Sequence, residues 1–462
     1  MDRVRRWLSS ASSQTAYEPI HNTLEADAVS DGGSEYSGVR KPASHFSRLS
    51  YGVFFLLGIN MLWAWNMFLA AAPYFHRRFE SDDWAVAHFQ PSILSVSTVT
   101  NLCCGFIMAK AQKNASYPRR IKLSLLINII IFALLAFSTI LMKNAVVGTY
   151  FGFLMLMVFG ASWATGMNQN GVFAYVSGFG REEYTQAIMA GQGVAGVLPC
   201  IVQILSVLAV PPSNKHHGRQ DPSKSAFAYF LTATAISLLA LIAFLYLDNK
   251  RQSSAAGSVS REEEDPLHPA DAAHAKTTIG LWTLFKKLHW PALSVFLCFA
   301  VTMTFPVFTA EIESVHGPGQ GRGVEAQPRI FEPEVFIPLA FLFWNVGDLF
   351  GRISVLVPRL ATLSHRPVAL FVLAIARLGF IPLYLLCNIG GRGAIVNSDA
   401  FYLFFVQICF GFSNGFLGSS CMMGAGHFVS VEEREPAGGF MSLMLVGGLA
   451  AGSLLSFLIA AK

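Results

Sequence analysis

Charge is what this sequence has least of. Only 13% of its 462 residues are Asp, Glu, Lys or Arg, against about 25% in a typical soluble chain, and 53% are hydrophobic. That shortage excludes a large water-soluble enzyme. It is also local, because long apolar runs alternate with short polar ones, which is the pattern of a membrane protein. The formal net charge of +5 sits in the polar interruptions. It therefore reads as membrane topology, and nucleic acid is not an expected partner. Cysteine is sparse too. All seven lie inside apolar runs, with no histidine at zinc-ligand spacing. They read as small hydrophobes, with no disulfide framework and no metal site. P-loop, HExxH and GxSxG motifs are absent, so neither an ATP-driven pump nor a hydrolase is expected, and nothing calls for a cofactor.

What is present is a series of spans. Eleven runs are long enough to cross a bilayer as helices of about 20 residues: 51–75, 89–109, 121–142, 149–176, 184–209, 226–247, 290–310, 335–357, 367–388, 399–424 and 435–460. Residues 1–50 are polar, have no signal-peptide core, and read as a disordered cytosolic tail. The longest polar interruption, 248–289, contains Glu262, Glu263, Glu264 and Asp265 and reads as a flexible cytosolic linker. It divides the chain into a six-helix bundle (51–247) and a five-helix bundle (290–462). The side facing the N-terminus holds 21 lysines and arginines, and the other side holds 10. The positive-inside rule then places the N-terminus in the cytosol, and an odd number of spans places the C-terminus in a lumen or outside.

Within such spans the polar groups are informative. Three charges lie well inside them: Asp348, Arg352 and Arg377. Intramembrane charges cost about 2.5–3.5 kcal/mol each on insertion scales and need a partner or a watery cavity. Asp348 and Arg352 are four apart on one helix and can pair; Asn345 shares their face. Gln169 lies between Asn168 and Asn170 in the fourth span, Gln192 in the fifth, Asn66 in the first and Asn414 in the tenth. Trp63 and Trp65 sit mid-span, where an indole can serve as a platform for a flat ring. Each amide alone is explained equally well as an interhelical hydrogen bond. Together they suit a neutral solute rich in donors and acceptors. Gly191, Gly193 and Gly196 spell GxGxxG, but inside an apolar helix without a βαβ unit they read as close helix contacts.

Several strings then become recognisable. MAGQGVAG (189–196), WNVGDLFGR (344–352), RLGFIPLYLLCN (377–388), GFSNGFLGSSCM (411–422) and WAWNMFLAAAPYF (63–75) resemble signatures of the equilibrative nucleoside transporter family. The resemblance runs from about residue 51 to 460 and is nearest in flavour to fungal vacuolar members. It implies an all-α fold of eleven helices in a 6+5 arrangement like the major facilitator superfamily, with substrate held between the halves. It also implies roles: Trp65 facing the base with Leu69 on the same wall, Gln169 bonding the base, Asp348 and Arg352 meeting the ribose beside Asn345. Gly191, Gly193, Gly196, Arg377 and Asn414 would serve packing or gating. The family's first-helix Pro-Trp-Asn reads Ala64-Trp65-Asn66 here.

The expected activity is facilitated diffusion of nucleosides, with nucleobases as further substrates. Asp348 is the one carboxylate well inside the spans, and an adjacent guanidinium favours its ionised form, which makes it a poor proton carrier. The alternatives are a proton-linked nucleoside carrier, a carrier of another polar solute, and a membrane receptor that transports nothing. Tyr17-Glu18-Pro19-Ile20 fits a sorting pattern, favouring a vacuolar or lysosome-like membrane over the plasma membrane. The sequon Asn114-Ala115-Ser116 falls on the cytosolic side and should be unmodified. Apart from small-molecule substrate and membrane lipid, no partner is specified.

Overall fold

A computed structural model describes residues 46–112, 115–209, 222–262, 279–317 and 328–460. Eleven segments in it are long and apolar enough to cross a membrane, the ninth (Pro367–Leu385) by joining two short helices. We number them α1 (Arg48–Ala70), α2 (Asp83–Lys110), α3 (Tyr117–Leu141), α4 (Val147–Ser177), α5 (Glu182–Ala209), α6 (Pro222–Glu262), α7 (Leu281–Thr302), α8 (Pro333–Ser354), α9 (Pro367–Ala376), α10 (Phe401–Gly424) and α11 (Arg434–Ala460). Local chemistry sets many of the starts. Ser47 caps α1 by accepting from the Ser50 N–H, and Asp82 caps α2 by accepting from Ala85. Proline occupies the first turn of α3, α8 and α9, where its missing N–H has no partner to lose.

Three spans are broken, and proline explains each break. α1 stops at Ala70 and resumes as a short helix, Ala72–Phe79, around Pro73. α7 stops at Thr302 and resumes over Thr304–Glu311, around Pro306. α9 passes through a 3-10 turn, Arg377–Gly379, into a second short helix, Phe380–Leu385, that contains Pro382. A proline ring cannot donate to the carbonyl four residues back, so the ladder opens at 69, 302 and 378. α10 begins as a π-helix over Phe401–Ile408.

The six N-terminal helices pack on one another, as do the five C-terminal ones. The halves meet where α5 lies against α8 and α10, and where α11 lies against α2 and α4. Within the C-terminal half, α8 and α10 approach backbone to backbone. A methyl at Gly347 or Gly351 would strike the carbonyls of Ile408 and Phe412, and one at Gly411 or Gly415 those of Trp344 and Asp348. Only glycine permits that spacing. The outer surface is apolar, with Leu141, Leu156, Leu239 and Leu454 all exposed, as expected where hydrocarbon is the solvent.

The segment expected as a flexible linker, 248–289, is helical at both ends, since α6 runs to Glu262 and α7 begins at Leu281. The physical reason is visible at its start. Asp248 pairs with Lys122 of α3 at 3.0 Å, and the Arg251 guanidinium lies over the rings of Tyr175 and Phe179 at 5.1 and 4.5 Å. The polar composition there marks where a helix leaves the apolar layer, while the helix itself continues. α1 likewise begins three residues inside the expected tail. Tyr17–Ile20, Asn114 and residues 263–278 lie outside the described residues.

Candidate substrate site

A cavity of about 390 Å³ lies between the two halves, within the range typical of small-molecule sites. Every helix except α3, α6 and α9 lends it a wall. α1 contributes Met61, Leu62, Ala64, Trp65 and Phe68; α4 contributes Ser162, Thr165 and Gln169; α8 contributes Trp344, Asn345, Asp348 and Arg352. Thr302, Met303 and Pro306, at the break in α7, line it as well. The break therefore presents loosened backbone to the cavity.

At its centre is a connected polar network. Arg352 Nε donates to Asp348 Oδ2 at 2.6 Å, the pairing that an i,i+4 spacing allows. Arg352 Nη1 donates to the Met189 carbonyl and to Gln192 Oε1, at 3.1 and 3.0 Å. The other carboxylate oxygen, Asp348 Oδ1, accepts from Asn414 Nδ2 at 2.7 Å. Asn414 Oδ1 in turn accepts from Arg377 Nη1 at 3.1 Å and from Thr302 Oγ1 at 2.6 Å. Arg377 also donates to Thr302 Oγ1 (3.0 Å) and Cys298 Sγ (2.8 Å), and its guanidinium lies 4.7 Å from the Phe410 ring centroid. Arg377 is 1% exposed. The amide of Asn414 is suited to the middle of this chain because it donates at one end and accepts at the other.

Trp65, Gln169, Asn345, Asp348 and Arg352 all reach the one cavity. Gln169 has no hydrogen-bond partner among the described residues, so its amide is free for a ligand. Asn345 is partly committed, donating to the Phe341 carbonyl at 2.9 Å and to Cys200 Sγ at 3.5 Å. Leu69 does not join them. It is 54% exposed and borders a smaller recess between α1 and α2 that also touches Trp65. By helical angle Leu69 shares the face of Leu62 and Trp65, but it lies beyond Phe68, the last α1 residue on the cavity wall, and one residue before the helix stops at Ala70. Trp63 also points elsewhere, donating to Thr232 Oγ1 of α6 at 3.3 Å.

Gly191 fits against the α1 backbone at Phe55, while Gly193 and Gly196 fit against Leu349, Arg352 and Asn345 of α8. Arg377 and Asn414 belong to the central network, with Asn414 on the cavity wall and Arg377 behind it. Sequence reasoning noticed Gln192 without assigning it to the site. It missed Thr302 and Asn101, whose lone hydroxyl and amide carry no local spacing signal.

The cavity is closed at the end where α1 begins. There α4 meets α11: Asn170 Nδ2 donates to the Gly439 carbonyl at 3.4 Å, and Asn170 Oδ1 accepts from Arg120 at 2.8 Å. Gly438 lies directly over the Phe173 carbonyl. His427, after α10, pairs with Glu182 at the start of α5.

Two half-bundles around a polar central cavity, shut at one end, define a membrane solute carrier. Comparison with known proteins agrees. The proton:xylose symporter XylE, a major facilitator superfamily protein, superposes with a TM-score of 0.57 at 12% identity, over 89% of this chain and 87% of its own. The human organic anion transporter MFSD10 gives 0.52 at 14%, over 91% and 95%. The fold is therefore that of the superfamily. In sequence, residues 154–461 match the nucleoside transporter family model. Nucleoside transporter FUN26 of Saccharomyces cerevisiae is 30% identical over 88% of this chain and 83% of its own. Equilibrative nucleoside transporter 1 of mouse is 29% identical, over 88% and 96%. This chain belongs to the nucleoside transporter family: it is a multi-pass membrane transporter and not an enzyme.

Proposed function

We propose that the protein carries nucleosides, and nucleobases with them, across its membrane by facilitated diffusion with alternating access. The observation that carries this reading is the central cavity, which an aromatic platform (Trp65), a free amide (Gln169) and an ion pair (Asp348–Arg352) line together. A flat base with donors and acceptors suits Trp65 and Gln169. Vicinal hydroxyls of a sugar suit a carboxylate that accepts and a guanidinium that donates. The two half-bundles, shut together at the α4–α11 end, supply the two bodies that alternating access requires.

Uniport is favoured by the surroundings of Asp348. Both of its oxygens are engaged, by Arg352 and Asn414, and among the described residues lining the cavity it is the one carboxylate. We place the N-terminus in the cytosol because the polar segments on its side hold 21 lysines and arginines against 10 on the other, and we favour a vacuolar or lysosome-like membrane over the plasma membrane from the Tyr17–Ile20 pattern together with the likeness to a fungal relative. The deciding experiment is uptake of labelled uridine into proteoliposomes holding the purified protein. Saturable uptake that equilibrates is expected. No uptake refutes the nucleoside reading. Uphill accumulation that collapses with a protonophore refutes uniport.

A further inference from the structure

The described spans bury three charges at the cavity, and they do not cancel. Asp348 is one carboxylate, and it is shared by two guanidiniums. Arg352 reaches it directly, and Arg377 only through Asn414. The remaining contacts of Arg377 are neutral: a thiol, a hydroxyl and an aromatic face. Arg352 spends Nε and Nη1 on Asp348, Met189 and Gln192. Its Nη2 has no partner among the described residues, although the side chain lines the cavity and Arg352 is 5% exposed. Both guanidiniums stay protonated in proteins. The cavity wall and the side chain directly behind it thus hold a fixed charge of one positive unit, and Arg352 keeps one uncommitted donor.

We infer that this carrier selects ligands by the sign of their charge, favouring an anionic nucleoside over a cationic one, with Arg377 as the residue that sets the preference without touching the ligand. The inference rests on the nucleoside reading above. The physical reason is Coulombic. In a site partly shielded from water, a unit charge about 10 Å away, through an effective dielectric of about 40, makes reversal of the ligand's sign worth about tenfold in binding. Arg352 is balanced by Asp348, so the surplus traces to Arg377. A neutral nucleoside feels little of it. A ligand bearing an ammonium is repelled, and one bearing a carboxylate is drawn toward Arg352 Nη2.

Competition with labelled uridine uptake in proteoliposomes, in gluconate salts, tests this. Two probe pairs place the charge at opposite ends of the molecule. One pair is uridine 5′-carboxylate against 5′-amino-5′-deoxyuridine. The other is 5-carboxyuridine against 5-aminomethyluridine. The carboxylate should compete about tenfold or more strongly than the ammonium in both pairs, because a field acts whichever end carries the charge. Arg377→Met should bring both ratios to within about threefold of unity, and Arg377→Lys should keep them, since it retains the charge and loses the fork geometry. A packing role alone would change uptake of all probes together and leave the ratios alone. Should Arg377→Met fail to fold, the wild-type ratios still decide. Uridine uptake with equal competition by both signs overturns this inference and leaves the nucleoside reading standing. Ratios unchanged in a folded Arg377→Met remove Arg377 as their cause. Absence of uridine uptake is the separate failure of the nucleoside reading.

Discussion

Asn414 is the sharpest place to perturb the central network, because its amide joins two charged groups that do not touch. Asn414→Ala leaves Asp348 Oδ1 without the donor it meets at 2.7 Å and removes an acceptor that Arg377 meets at 3.1 Å. Each is a hydrogen bond to a charged group, worth about 1.5–3 kcal/mol. The Thr302 hydroxyl loses nothing, since it can still donate to the Cys298 carbonyl at 2.8 Å. The two losses together predict destabilisation by about 3–6 kcal/mol. The assay is the thermal midpoint of the detergent-purified protein, followed by size-exclusion elution of a fluorescent fusion. Exchanging the two groups sharpens the test. Asn414→Asp alone sets two carboxylates against each other and should be severely destabilised. The double variant Asp348→Asn with Asn414→Asp restores one carboxylate and one amide in the same places, now with the carboxylate beside Arg377. It should regain at least half of the lost stability. An Asn414→Ala protein within about 0.5 kcal/mol of wild type, the usual range for inert surface changes, would refute the network as drawn. So would a double variant no more stable than Asn414→Asp alone.

Three further outcomes are expected. Arg352→Ala should abolish uridine uptake and Asp348→Asn should impair it, because removing one partner strands the other in a site of low dielectric; wild-type uptake in both, at equal expression, would remove them from the substrate site. Gly415→Ala should cost about 1–3 kcal/mol or more by driving a methyl into the Asp348 carbonyl, whereas Gly379→Ala, which meets nothing within 4 Å, should leave the midpoint unchanged; equal effects would contradict the α8–α10 contact. The ammonium of Lys287, 2.6 Å from the Glu433 carboxylate, holds that carboxyl below its ordinary value, helped by the Ser430 N–H. A folded value below the unfolded one stabilises at neutral pH and is lost as pH falls through it. The midpoint difference between wild type and Glu433→Gln should therefore be steady above about pH 5 and shrink below it, and a difference that grows in acid would reverse the sign.

Much of this was legible in the sequence because membranes write in length and polarity. Eleven apolar runs gave eleven spans, and the i,i+4 spacing of Asp348 and Arg352 led to the pairing found. What could not be read was set by contacts across the chain. Arg377 and Asn414 are 37 residues apart, and nothing local in either helix says that they meet. The breaks at Ala71 and Met303 follow from Pro73 and Pro306, yet proline also sits undisturbed inside α2, α5 and α8, so its presence alone does not fix a break. Leu69 lies four residues beyond Trp65, a spacing that normally shares a face, and only the course of the wall past Phe68 sends it to the neighbouring recess. The ends of α6 and α7 went unseen because polar composition was taken for loop, when it was the water-facing continuation of a helix.

The placement of the three buried charges also bears on how the chain enters its membrane during synthesis. α8 has the lowest mean hydropathy of the eleven spans, 1.3, yet its carboxylate and guanidinium travel together on one helix and neutralise each other before any neighbour arrives. α9 has no such companion. Arg377 enters ahead of α10, before Asn414 can reach it, at a cost of about 2.5–3.5 kcal/mol. The stretch ahead of it, with Val368, Leu370, Phe371, Val372, Leu373 and Ile375, returns about 0.3–0.6 kcal/mol per residue. Insertion of α9 is thus close to balanced by its own greasy first half, and the arginine waits in the bilayer for α10 to bring its acceptor.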